Sequence, residues 1–197
     1  MSISEVSICN TALAKVGAKT ITLLTDNSKE ARLCNDLYPK ARDFMLSYYH
    51  PSFARKRVQL TVDGTAPAWG FTFRYALPAD YLALLFTEDE DIYPRQIENG
   101  YILINKDDDL NIIYIYRVTA TTLFTAEFDE ALAFYLASQL AEPLTQNTKK
   151  AMKLADEAET WGMRAKFIDS RASSPVEQNP NEWLNSRFGS NFSNTGF

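Results

Sequence analysis

The hydrophobic period of this chain changes twice, and that alternation decides what it can fold into. Apolar residues recur every three to four positions up to about residue 50, turn to short β-branched and aromatic runs between 53 and 119, and return to helical spacing up to about 170. A first helix is expected over Ile3 to Val16, with Val6, Cys9, Leu13 and Val16 on one side and Gly17 as its left-handed cap. A second follows with Asn27 as N-cap and Glu30 three residues on; Leu33, Cys34, Leu37, Ala41, Phe44, Met45 and Tyr48 share a side, and Pro39 bends it.

The middle stretch predicts four or five antiparallel strands, in "ARKRVQLTV", "GFTFRYAL", "IYPRQIE", "YILIN" and "LNIIYIYRV". Asn99-Gly100 suits a tight hairpin between 93–98 and 101–105. Helix three is capped by Thr125 and carries Phe128, Leu132, Tyr135, Leu136 and Leu140. Helix four runs from Thr148 to Ser170, and its small residues Ala151, Ala155, Ala158, Gly162 and Ala165 invite close approach by another helix. The fold class is therefore α+β: a four-helix bundle with an inserted small antiparallel β domain and an extended C-terminal arm. The divisions fall at 1–52 for the first helix pair, 53–120 for the β insert, 121–172 for the second pair and 173–197 for the arm.

The arm is rich in Asn and Ser and cannot bury enough apolar area to order itself alone. Trp183, Leu184, Phe188, Phe192 and Phe197 are spaced along it like anchors awaiting a receiving surface.

Sequence signals for chemistry are weak. His50 is the only histidine, so any Ser-His-Asp or Cys-His arrangement rests on it alone. Cys9 and Cys34 form no metal or disulfide pattern and read as buried, reduced thiols. The acidic runs 88–91 and 107–109 raise the question of a divalent ion. An EF-hand begun at Asp107 would need Gly and Glu where the chain has Ile112 and Val118, so a solvated turn is the better reading. "VGAKTIT" lacks the upstream glycine of a phosphate loop. Carboxylates such as Asp129, Glu130 and Asp156 read as solvated helix charges. No cofactor, metal or enzyme activity is called for. Arg55, Lys56 and Arg57 open a strand, either as a solvated edge or as a contact to DNA or a partner. The net charge of −5 argues against tight gripping of phosphate. No run of eighteen apolar residues and no signal-type leader occur, so a cytoplasmic, non-membrane chain is expected.

In "AWGFTFRYALPADYLALL" the aromatic residues Phe71, Phe73 and Tyr75 alternate with Thr72, Arg74 and Ala76, Pro78 ends the strand, and Asp80 caps a short turn. That turn is expected to carry Tyr81, Leu82 and Leu84 back to the core, making the stretch a strand-to-turn staple.

The order "LYPKARDFML", "FARKRVQL", "APAWGFTFRYALPADYLAL", a hairpin region, and two helices ending in "AMKLADEAETWGMRAK" resembles the tail tubular protein A group of head-to-tail adaptors in short-tailed bacteriophages. The likeness covers residues 4–170, and Trp69, Tyr75, Leu77, Pro78, Asp80 and Leu82 match its most recognisable motif. The resemblance implies a structural virion protein in the tail, assembled in the host cytoplasm. Its partners would be itself, in a ring of twelve subunits, the portal protein and the tail nozzle protein. Double-stranded DNA would pass through the lumen without sequence-specific binding, and the arm would dock on the portal. The small-residue face of helix four and the aromatic insert are the candidate ring patches. Two other readings stand beside it: a small metal-dependent hydrolase using the acidic loops 88–91 and 107–109, and a DNA-contacting module using Arg55, Lys56 and Arg57.

Overall fold

A computed structural model describes residues 4–88 and 92–172. Among the described residues, four helices and two small antiparallel sheets form a mixed α+β structure. Helix α1, Glu5–Val16, starts on the Ser4 hydroxyl, which accepts from the Ser7 amide at 3.1 Å. It ends as the glycine signal predicts: Gly17 sits at φ +79, its N–H donates to Ala14 O and the Ala18 N–H to Leu13 O. Helix α2, Lys29–Tyr49, is capped by Ser28, whose hydroxyl accepts from the Ala31 amide, so the cap lies one residue after the expected Asn27. The preceding turn is already closed by Asp26, which accepts from the Thr22 and Leu23 amides at 2.9 and 3.0 Å. The helix runs through Pro39 as a single element.

Helix α3, Ala126–Thr145, is capped by Thr125, as its sequence predicts, and α4, Thr148–Ala172, starts on Asn147 Oδ1. Helix α3 is the hub, packing against α1, α2 and most extensively α4. Its buried residues Phe128, Leu132, Leu136 and Leu140 are four of the five predicted stripe positions; Tyr135 is half-buried.

Between α2 and α3 the described residues build six strands: β1 Arg55–Leu60, β2 Phe73–Ala76, β3 Tyr81–Thr87, β4 Arg95–Glu98, β5 Tyr101–Ile104 and β6 Leu110–Tyr116. One sheet has the order β1-β6-β3 and the other β2-β5-β4, both antiparallel. The β4–β5 hairpin turns on Asn99 at φ +49 and Gly100 at φ +80, the two successive positive values a tight hairpin needs. The expected short turn stands at Ala79 and Asp80, closed by the Tyr81 amide on Pro78 O, but Tyr81, Leu82 and Leu84, which it carries to the core, form a strand, β3, that the sequence did not suggest. Its run "YLALLFT" is half-buried at most positions and interrupted by two register shifts against β6, so it shows no alternation to read.

Two interiors result. The larger gathers the inner faces of α1, α2 and α3 with Leu154, Ala54, Ile115 and Val118. The smaller lies between the sheets and holds Leu60, Tyr75, Ile102, Ile104, Leu110, Ile112 and Tyr114. Where the chain passes from helix to sheet and back, Phe53, Phe124 and Phe128 close into a three-ring cluster with centroids 5.1 to 5.7 Å apart. Asp43 adds a polar latch, bound to Arg42 at 2.8 Å and to Arg117, just beyond β6, at 2.7 Å.

Candidate functional site

The six motif residues do not converge on one site. Tyr75 is fully buried, and its hydroxyl donates to the carbonyls of Lys106 and Asp108, both at 2.6 Å, pinning the acidic loop 107–109 from beneath. The Leu77 amide donates to Gly100 O, and Pro78 O accepts from the Tyr81 amide. Asp80 joins three elements: its carboxylate accepts from Lys56 Nζ of β1 at 2.5 Å and from Tyr114 Oη of β6 at 2.9 Å, while its carbonyl accepts from the Arg117 amide. The Lys56 hydrogen bond holds the Asp80 carboxyl below the ordinary carboxylate range. Leu82 packs against the helical interior. Trp69 stands apart, 87% exposed in the loop before β2. Asp80 thus fastens β1 and β6 to the turn before β3, a wider role than capping.

The basic triplet is largely committed inside the molecule. Arg55 pairs with Asp169 of α4 at 3.8 Å and donates to His50 O, and Lys56 lies 4.0 Å over the Tyr116 ring besides its bond to Asp80. Arg57 is exposed and makes no ion pair among the described residues.

His50 ends α2 at φ +54, and burial lowers its imidazole's basicity. Nearby, Ser52 donates from its hydroxyl and its amide to the Asp169 carboxylate, so serine and acid meet directly, without the imidazole between them. That geometry caps the turn at Ser52–Ala54 from α4. Glu88 accepts from Asn111 Nδ2 at 2.8 Å and pairs with Lys106 at 3.5 Å. Residues 89–91 lie outside the described residues, among which no group of three or more His, Cys, Asp or Glu gathers to hold a metal. The two cysteines, distant in sequence, meet between α1 and α2; each is fully buried, and hydrogen bonding to Cys34 together with burial pushes the Cys9 thiol far up.

Uncovered apolar surface lies on the helices. Phe44 and Tyr48 of α2 project beyond its buried stripe and stack with each other, and Phe44 also stacks on Tyr135 with ring centroids 4.8 Å apart. On α4, Met163, Phe167 and Ile168 are exposed and with Trp161 line a surface cavity of about 540 Å³. Of the seven residues expected to share one side of α2, Cys34, Ala41 and Met45 are buried while Phe44 and Tyr48 are exposed, because seven residues between 33 and 48 make a band wider than the stripe one neighbouring helix covers. Of the small-residue face of α4, Ala158 and Gly162 are buried within the chain, whereas Ala155 is exposed. The arm anchors Trp183, Leu184, Phe188, Phe192 and Phe197 lie outside the described residues.

No protein-family model matches the chain, and no curated protein matches it. No helix among the described residues is long and apolar enough to cross a membrane.

Proposed function

We propose that this chain is a structural protein of a bacteriophage virion, a head-to-tail adaptor whose copies close into a ring between the portal and the tail nozzle, leaving a lumen for DNA. The observation that carries the reading is the pair of uncovered apolar faces on different helices, Phe44 and Tyr48 on α2 and Met163, Phe167 and Ile168 on α4. A closed ring needs two unlike patches on each subunit, one meeting the other of the next copy. Exposed aromatic and aliphatic groups in contiguous patches are what such interfaces consume. The sequence pattern running from "LYPKARDFML" to "AMKLADEAETWGMRAK" points the same way.

In this reading the four helices act as the ring-forming bundle and residues 173–197 as the arm that reaches the portal. Assembly takes place in the host cytoplasm and the product resides in the tail. The acidic net charge of −5 suits a lumen that lets phosphates slide.

The test is the native mass of the purified protein, alone and after addition of a portal protein. A ring, formed alone or on the portal, is expected, and Phe167→Glu together with Met163→Glu should abolish it while circular dichroism stays unchanged. Removal of residues after Ala172 should abolish portal docking and spare the helical fold. A chain that stays monomeric in both conditions overturns the proposal.

A further inference from the structure

The outer face of the second sheet holds a cavity whose chemistry is specific. Strand alternation puts Arg74 of β2, Tyr101 and Leu103 of β5, and Gln96 and Glu98 of β4 on the side turned away from the buried Tyr75, Ile102 and Ile104. The loop carrying Trp69 walls this face, and together they enclose about 310 Å³.

The charges there are unequal. Arg74 is already engaged, bonded to Asp63 at 3.3 Å and lying 4.4 Å over the Tyr101 ring. The Glu98 carboxylate makes no hydrogen bond or ion pair among the described residues. The uncompensated charge of the cavity is therefore a carboxylate, and it shares the space with an indole that is almost wholly exposed. A carboxylate and an open aromatic face are the two halves of a site for a guanidinium or ammonium group. An anion would meet Glu98 instead.

A further feature indicates that the cation arrives on a polypeptide. Strand β4 is the outermost strand of its sheet, and Gln96, Ile97 and Glu98 are exposed along it, so one row of its peptide groups is open to pairing. A strand added to β4 sends alternate side chains to the cavity side.

We propose that the β4 edge and the Trp69–Glu98 cavity together bind an extended segment of a partner protein, taking an arginine or lysine side chain between the Trp69 indole and the Glu98 carboxylate. This holds whether or not the adaptor reading does, because it is fixed by the chemistry of the cavity.

The test is calorimetric titration of the full chain with a capped peptide alternating threonine and arginine, against the same peptide with citrulline at each arginine. The arginine peptide should bind about tenfold more tightly, the product of one cation–π contact and one exposed ion pair. Trp69→Ala and Glu98→Gln, both at exposed positions, should each weaken it about two- to fivefold and leave the fold intact by circular dichroism. Equal affinity for the two peptides, affinity unchanged in both variants, or no binding at millimolar peptide overturns the proposal. Glu98-dependent binding of spermidine that matches or exceeds that of the arginine peptide overturns the polypeptide half of it.

Discussion

Gly162 is the place where α4 depends on having no side chain. A Cβ built there would stand 2.0 Å from Cζ and 2.2 Å from Oη of Tyr49, well inside the contact distance of about 3.5 Å at which carbon atoms rest. Tyr49 is only 8% exposed and its ring is set edge-on against Tyr48 with centroids 4.9 Å apart, so it has little room to withdraw. Two opposing effects decide the outcome of Gly162→Ala. Helix propensity favours alanine by about 1 kcal/mol, while overpacking a filled site costs about 1–3 kcal/mol. With an overlap this deep the upper end applies, and the net expectation is a loss of about 2 kcal/mol. In a Tyr49→Leu background the ring is gone and the same substitution should stabilise by about 1 kcal/mol. Urea unfolding followed by far-ultraviolet dichroism resolves this, since a slope of about 2 kcal/mol per molar urea turns the loss into a midpoint shift of about 1 M. The coupling between the two sites is then about 3 kcal/mol. If Gly162→Ala stabilised both backgrounds equally, the α2–α4 contact described above would be wrong.

Tyr75→Phe should cost about 1–3 kcal/mol, because it strips the donor shared by Lys106 O and Asp108 O, and amide exchange at 106–109 should quicken. Unchanged exchange in that loop would refute the pinning role. Asp80 sets a pH dependence whose sign follows from its depressed folded value. Its contribution is present above the unfolded carboxyl value of about 3.9 and fades as pH falls through the lower folded one. Asp80→Asn should therefore cost at most about 1 kcal/mol above pH 5, in keeping with a pair this open to solvent, and progressively less below pH 4. A deficit that stayed constant in urea titrations between pH 3 and 7 would remove Lys56–Asp80 from the account.

What could be read from the residues alone follows how locally each feature is written. The cap at Gly17, the cap at Thr125 and the Asn99-Gly100 hairpin each depend on a few neighbouring residues, and all three stand where the sequence puts them. The cap of α2 moved from Asn27 to Ser28 because two adjacent residues offer the same chemistry and the Asp26 turn decides between them. Strand β3 was illegible because it is half-buried along most of its length and slips register twice, which erases the period-two signal. The Trp69–Glu98 cavity joins residues from a loop and three strands, and the meeting of Cys9 with Cys34 depends on how α1 and α2 dock. Neither leaves a mark at fixed spacing.

Strand β6 serves two interiors at once: Leu110, Ile112 and Tyr114 fill the space between the sheets, and Ile115 reaches into the helices. Peeling away the outer sheet would bare one flank of a strand whose opposite flank the helices still hold. Tension applied to the β side is thus handed through β6 and the Arg117–Asp43 latch to α2. Helical and β regions should consequently yield at a single force rather than in two steps.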